Sequence, residues 1–170
     1  ISDDWYGVTP GTDGLLIMSL IRELMFSGNI DIDYLRRYTN APWLVIRNPG
    51  ADDDGLFYRD ADGNPQVLDQ KTGSAVPHHT RNMSAAMHGE ISLDNGGVAV
   101  PAFVLISETY MQESLSPEAV SPKVGISAAR IRQFAADLAE AAFSREIVID
   151  QPWTDWKGEK HEKMIGRPVA

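Results

Sequence analysis

Trp5-Tyr6-Gly7-Val8-Thr9-Pro10-Gly11-Thr12-Asp13-Gly14, running directly into Leu15-Leu16-Ile17-Met18-Ser19-Leu20-Ile21-Arg22-Glu23-Leu24-Met25-Phe26, is the stretch that decides the fold class. Trp5 to Thr9 are strand-forming residues that stop at Pro10-Gly11, a turn signal. Ser19, Arg22, Glu23 and Ser27 recur at spacings of three and four, which predicts a helix with a narrow polar stripe and an otherwise apolar circumference. Such a helix is expected to be mostly buried. It is too short and too interrupted to span a bilayer, and Gly28-Asn29 supplies the residues that tolerate the left-handed conformation at a helix end.

Strand and helix signals continue outward from this segment. Asp31 to Tyr38 predicts a short helix with Ile32, Leu35 and Tyr38 facing inward, and Trp43-Leu44-Val45-Ile46 a buried strand after Pro42. Between Asn48 and Val100 the chain is rich in Gly, Asp, Asn and Pro. Leu56-Phe57-Tyr58-Arg59 and Gln66-Val67-Leu68-Asp69 flank Asp60-Ala61-Asp62-Gly63-Asn64-Pro65 as the arms of a hairpin, and Asp94-Asn95-Gly96-Gly97 marks a second turn. Pro101 to Met111 returns to helix. Ser116-Pro117-Glu118 combines an N-cap, an N1 proline and an acidic first turn. Ser127 caps the clearest helix, Ala128 to about Phe143, with Ile126 and Ile131 placed as a hydrophobic staple. Arg145 to Ile149 predicts a strand, and the tail from Pro152 has no period of its own. Alternation at both ends makes the class α/β, in the form of a partial Rossmann-like three-layer domain carrying a hairpin and loop insertion. The corresponding division is 1–47, 48–100 for the insertion, and 101–170 for the helical return, strand and extended tail.

The chain has 170 residues, 15 Lys+Arg against 24 Asp+Glu, a net charge of −9 and no cysteine. That acidity opposes nonspecific binding to nucleic acid or to anionic lipid. The missing cysteines exclude disulfides, thiolate nucleophiles, cysteine-ligated clusters and Cys-type zinc sites from this stretch. The residues from Ile1 onward carry no basic and apolar run of the kind that reads as a signal peptide.

Gly11, Thr12 and Asp13 are the candidate site. A loop between a strand and a helix N-terminus offers free N–H groups to an anion, and Gly permits close approach. Asp13 repels a phosphate but can accept the paired N–H groups of a guanine edge, with Thr12 and backbone amides handling a polar linker. The plainer alternative is that Thr12 or Asp13 caps the helix. His78, His79 and His88 lack acidic residues at metal-site spacing and are expected to be solvated loop residues, as is His161 in its charged turn. Asp52-Asp53-Asp54 and Asp60-Ala61-Asp62 lack the distal Glu of a calcium loop and are expected to form turns. Trp153 and Trp156 could stack on a ligand or anchor the tail. No Ser-His-Asp set, P-loop or dinucleotide glycine motif is present, so no catalytic residue and no metal ligand is assigned.

Trp5, Pro10-Gly11-Thr12-Asp13-Gly14-Leu15-Leu16 and Asp33-Tyr34-Leu35-Arg36-Arg37-Tyr38-Thr39-Asn40 together resemble the interior of the molybdopterin oxidoreductase family, the dimethyl sulfoxide reductase superfamily. Gly55-Leu56-Phe57-Tyr58-Arg59-Asp60, Ser116-Pro117-Glu118, Gly125-Ile126-Ser127-Ala128, Pro152-Trp153-Thr154-Asp155-Trp156 and Gly166-Arg167-Pro168-Val169 extend the likeness in order over nearly the whole chain. The resemblance implies an internal segment of a large catalytic subunit that holds molybdenum between two molybdopterin guanine dinucleotides. Gly11, Thr12 and Asp13 match the loop that contacts one guanine nucleotide portion. The tail is most similar to oxidoreductases of sulfur compounds (thiosulfate, polysulfide, tetrathionate or sulfite), with formate and nitrate as the wider range. The implied parent also has an iron–sulfur cluster outside this segment. Its implied partners are the rest of the large subunit, a membrane anchor and an iron–sulfur electron-transfer subunit, with no nucleic acid and no direct membrane insertion. Its compartment is either cytoplasmic or periplasmic. A segment cut from a larger subunit is further expected to bare apolar surface, in particular around Trp153 and Trp156. The competing expectation is a non-catalytic α/β scaffold or interaction lobe with no cofactor contact.

Overall fold

Local sequence signals set most element boundaries in the structure, a computed structural model that describes residues 4–166. Arg167, Pro168 and Val169, which extend the family likeness, lie outside the described residues. In chain order the helices are α1 (Asp13–Phe26), α2 (Ile32–Tyr38), α3 (Ala102–Tyr110), α4 (Pro117–Val124) and α5 (Ala128–Ala139), with short 3-10 and π turns at Glu113–Leu115 and Glu140–Ser144. The strands are β1 (Leu44–Arg47), β2 (Gln66–Leu68), β3 (Ala75–Pro77), β4 (Ile91–Ser92), β5 (Val98–Pro101), β6 (Ile147–Ile149), β7 (Trp153–Thr154), β8 (Lys160–His161) and β9 (Met164–Gly166). The fold is mixed α/β, as the alternation predicts, and every strand pair among the described residues is antiparallel. No helix among them is long and apolar enough to cross a membrane. The chain divides into two units: residues up to Asn29 together with those from Tyr110 onward, and Ile30–Thr109.

The first unit is a three-helix cluster of α1, α4 and α5. Ser116 and Ser127 accept the amides of Ala119 and Arg130, so both N-caps form as their sequence signatures predict. Gly125 ends α4 with φ of +77°, a conformation that suits glycine. Ile126 and Ile131 are buried together with Leu16, Leu20, Val120, Val124 and Ala135. Two expectations fail in this unit. Trp5 to Thr9 form no strand, because no neighbouring strand pairs with them; Tyr6 instead stacks on Phe134 at 4.4 Å. Helix α1 is also not mostly buried. It turns its polar stripe inward, where Arg22 pairs with Glu23 and Glu113 and the Arg132 guanidinium lies 3.5 Å from Glu23. Ile17, Met18 and Phe26, the last 70% exposed, face solvent. Leu16 and Leu20 set the buried face of α1, and the ion pairs to Arg132 and Glu113 lie beside that apolar strip.

The tail of this unit is more ordered than an extended segment. β6 pairs with β9 and β7 with β8, giving two short hairpin-like ladders.

The second unit is organised by the sheet β1-β5-β4, whose core residues Leu44 and Ala99 are buried with Leu68 and Ala86. The turn Asp94-Asn95-Gly96-Gly97 joins β4 to β5, with Leu93 N–H donating to Gly97. The hairpin around Asp60–Pro65 closes at an Arg59–Pro65 bridge. Asp60 accepts the amides of Asp62 and Asn64 and the side chains of Asn64 and Gln66, so its carboxylate stabilises its own turn. In α2, Asp31 caps the helix through the Tyr34 amide. Tyr38, expected inward, is 71% exposed; at the last position of this two-turn helix it packs beside Tyr34.

Candidate functional site

The Pro10–Asp13 loop is held from two sides. The Thr9 amide donates to the Val124 carbonyl at the end of α4, 2.9 Å away. At Gly125 a Cβ would stand 3.2 Å from Thr9 Oγ1, so the missing side chain admits this close approach. Within the loop, the Thr12 amide and hydroxyl both donate to the Thr9 carbonyl, at 3.1 and 2.7 Å. Gly11 takes φ of +83°, which suits glycine, with open space around its Cβ position.

This geometry corrects the capping alternative. Thr12 occupies the N-cap position but its side chain makes no cap hydrogen bond, having turned back to Thr9. Asp13 is already the first helical residue. Its carboxylate is exposed, and among the described residues no donor meets it. An exposed, uncommitted carboxylate is a two-oxygen acceptor, and the Thr12 oxygen retains its lone pairs. The residues present thus suit the N–H edge of a guanine and do not suit a phosphate, which the carboxylate would repel.

The other singled-out residues separate. His79 and His88 are exposed, as expected. His78 is not: it is half-buried, lies 5.2 Å from the Trp43 ring, and its Nδ1 is buried without a partner. Trp156 is 89% exposed, with the Lys157 ammonium 5.2 Å from its ring. Trp153 stacks on His161 at 4.6 Å and donates from Nε1 to Lys163.

Among the described residues, Asp155, Glu159 and His161 bring potential ligand atoms within 4.8 Å of one another, a grouping that sequence reading missed. Its signal was present: Asp155 opens the turn between β7 and β8, and the pairing of Trp153 with His161 carries the histidine back over it. The Glu159 amide, the His161 ring and the Lys157 amide hold the Asp155 carboxyl below its usual range. Those bonds account for the group as the fastening of a turn.

No family model matches the chain. Curated proteins do. Over its whole length the chain is 35% identical to a sulfite dehydrogenase subunit of Allochromatium vinosum, matching 18% of that protein. It is 30% identical over 81% of its length to a putative dimethyl sulfoxide reductase catalytic subunit of Halobacterium salinarum, and 38% identical over 44% to the chlorate reductase alpha subunit of Ideonella dechloratans. The chain belongs to the molybdopterin oxidoreductase family. Its match spans less than a fifth of the length of each of these relatives.

Proposed function

We propose that this chain is an internal segment of a molybdopterin oxidoreductase catalytic subunit, and that Gly11, Thr12 and Asp13 form part of the site for one guanine dinucleotide. The observation that carries the reading is the exposed Asp13 carboxylate, uncommitted among the described residues, at the start of α1 beside a Gly11 held at positive φ. When bound, the molybdenum cofactor supplies the oxygen-atom and electron transfer. Asp13 accepts the guanine N–H pair, Thr12 offers its hydroxyl oxygen, and Gly11 lets the backbone come close. Val124 and Gly125 position the loop through Thr9. The segment supplies no catalytic group and is inactive alone. The parent acts on a sulfur oxyanion of the sulfite type, following the relative matched over the whole chain. Its partners are the remainder of the large chain, a membrane anchor and an iron–sulfur electron-transfer subunit.

The test is the full-length subunit carrying Asp13→Ala and, separately, Asp13→Asn. Released guanine nucleotide and bound molybdenum are quantified per protein, with circular dichroism as the control for folding. Both variants are expected to lose guanine nucleotide while remaining folded. Wild-type nucleotide and metal content in Asp13→Ala would remove Asp13 from the site.

A further inference from the structure

The second unit contains an open cavity of about 380 Å³ beside the C-terminal turn of α2 and Trp43, lined also by Val67, His78 and Met83. That size lies within the range of small-ligand pockets. Its charge is opposite to that of the chain. In a protein of net charge −9, the cavity is lined by Arg36, Arg37 and His78 and by no carboxylate.

Two buried nitrogens among the lining residues lack partners. Arg36 Nη1 pairs with Asp33 at 2.6 Å, yet its Nε is buried with no hydrogen bond. His78 Nδ1 is buried and unpartnered in the same way. Burying a polar atom without a partner is costly, and native interiors rarely leave one so. Arg37 has no ion-pair partner among the described residues, and the Asn40 side chain, also lining the cavity, is likewise uncommitted. Thr39 is excluded as a donor because its hydroxyl donates to the Leu35 carbonyl.

With Arg36 already paired to Asp33, the lining offers the Arg37 guanidinium, the His78 ring and the Asn40 amide, groups of the kind that surrounds a charged oxyanion. The remaining wall, Trp43, Val67 and Met83, is apolar and lies beside this polar arc. We infer that this cavity is a binding site for a phosphate-type tetrahedral oxyanion, either free or as the phosphoryl group of a small organic molecule whose body lies on Trp43. The site is built wholly from residues between Arg36 and Met83 and is separate from the Gly11–Asp13 loop in sequence and in unit. It does not depend on the cofactor reading.

The experiment uses the full-length subunit with methionine methyl groups labelled with carbon-13, the Met83 signal being assigned by Met83→Leu. Orthophosphate, AMP and adenosine are titrated in turn. Orthophosphate is expected to shift the Met83 methyl signal saturably. AMP binding more tightly than orthophosphate would identify a carried phosphoryl group, whereas equal affinity would identify the free ion; adenosine alone should leave the signal in place. Arg37→Ala, at an exposed position and hence safe for folding, should weaken binding at least about tenfold. Arg37→Lys should fall between it and wild type, and His78→Phe should weaken binding while preserving the ring beside Trp43. An unmoved Met83 signal in the wild type overturns the inference and means that another segment of the subunit fills the cavity. So does saturable binding that Arg37→Ala and His78→Phe leave unchanged.

Discussion

Replacing Ile131 by Ala tests whether the helical unit has its own core. Ile131 on α5 is fully buried among Leu16 and Leu20 of α1, Val120 and Val124 of α4, and Ile126. The change removes three carbons. At about 0.8 kcal/mol per buried carbon the transfer loss is about 2.4 kcal/mol. A residual cavity of up to about 80 Å³, at about 24 cal/mol per Å³, adds as much as about 2 kcal/mol. The expected loss is thus about 2.5 to 4.5 kcal/mol, a large share of the roughly 5–15 kcal/mol that stabilises an ordinary domain. Native-state hydrogen exchange across a urea series, read by mass spectrometry, measures it segment by segment. Peptides from α1, α4 and α5 should lose protection by that amount, while those from β1 and β5, in the other unit, should keep theirs. A loss under about 1 kcal/mol in α5 would mean that this face collapses around the smaller side chain and is not a tightly packed core. An equal loss in β1 and β5 would show that the two units unfold as one.

Two further predictions concern the loop and the acidic turns. Gly125→Ala should lower stability by about 1 kcal/mol or more, since a Cβ there both opposes the positive φ and presses on Thr9 Oγ1, and the loss should appear in thermal unfolding together with faster exchange of the Thr9 amide. The Asn64 amide holds the Asp60 carboxyl, and the Ser84 amide the Asp69 carboxyl, below their usual range. A carboxyl lowered on folding stabilises the fold above its unfolded value of 3.8 and ceases to do so as pH falls through the lowered folded value. The melting temperature should therefore hold between pH 7 and about 5 and fall below about 4. Asp69→Asn should flatten that fall; an unaltered acid limb would show that Asp69 is not what the Ser84 loop depends on.

Elements with strong local signals were legible in the sequence. Ser116-Pro117 and Ser127 cap α4 and α5 because a cap is decided by residues within one helical turn. The turn at Asp60 and the turn at Asp94–Gly97 follow from their own Asp, Asn and Gly. The inward placement of Arg22 and Glu23 on α1 was not legible, since their partners Arg132 and Glu113 are distant in the chain. Trp5 to Thr9 carry strand-forming residues, but a strand exists only where another pairs with it. At the candidate site the loop and its glycine were readable. The fastening of Thr9 to Val124, and the turn of the Thr12 hydroxyl away from the helix, required the fold. The cavity lined by Arg36, Arg37 and His78 was invisible in sequence because His78 reaches it from a loop remote from α2 in the chain.

The pairing of β6 with β9 has a consequence for how such a polypeptide must be made. Ile147, Val148 and Ile149 are consecutive, so their side chains alternate between the two faces of the ladder, and all three are exposed, as are Met164 and Ile165 opposite. A two-stranded ladder this short is marginal in water. Among the described residues no third strand pairs with it, and its outer edges are templates for further strand pairing. During synthesis this run of β-branched residues is a surface on which copies of the chain can adhere to one another. Directly flanking it, Arg145 and Glu146 before and Asp150 after are charged residues of the kind that retard such stacking.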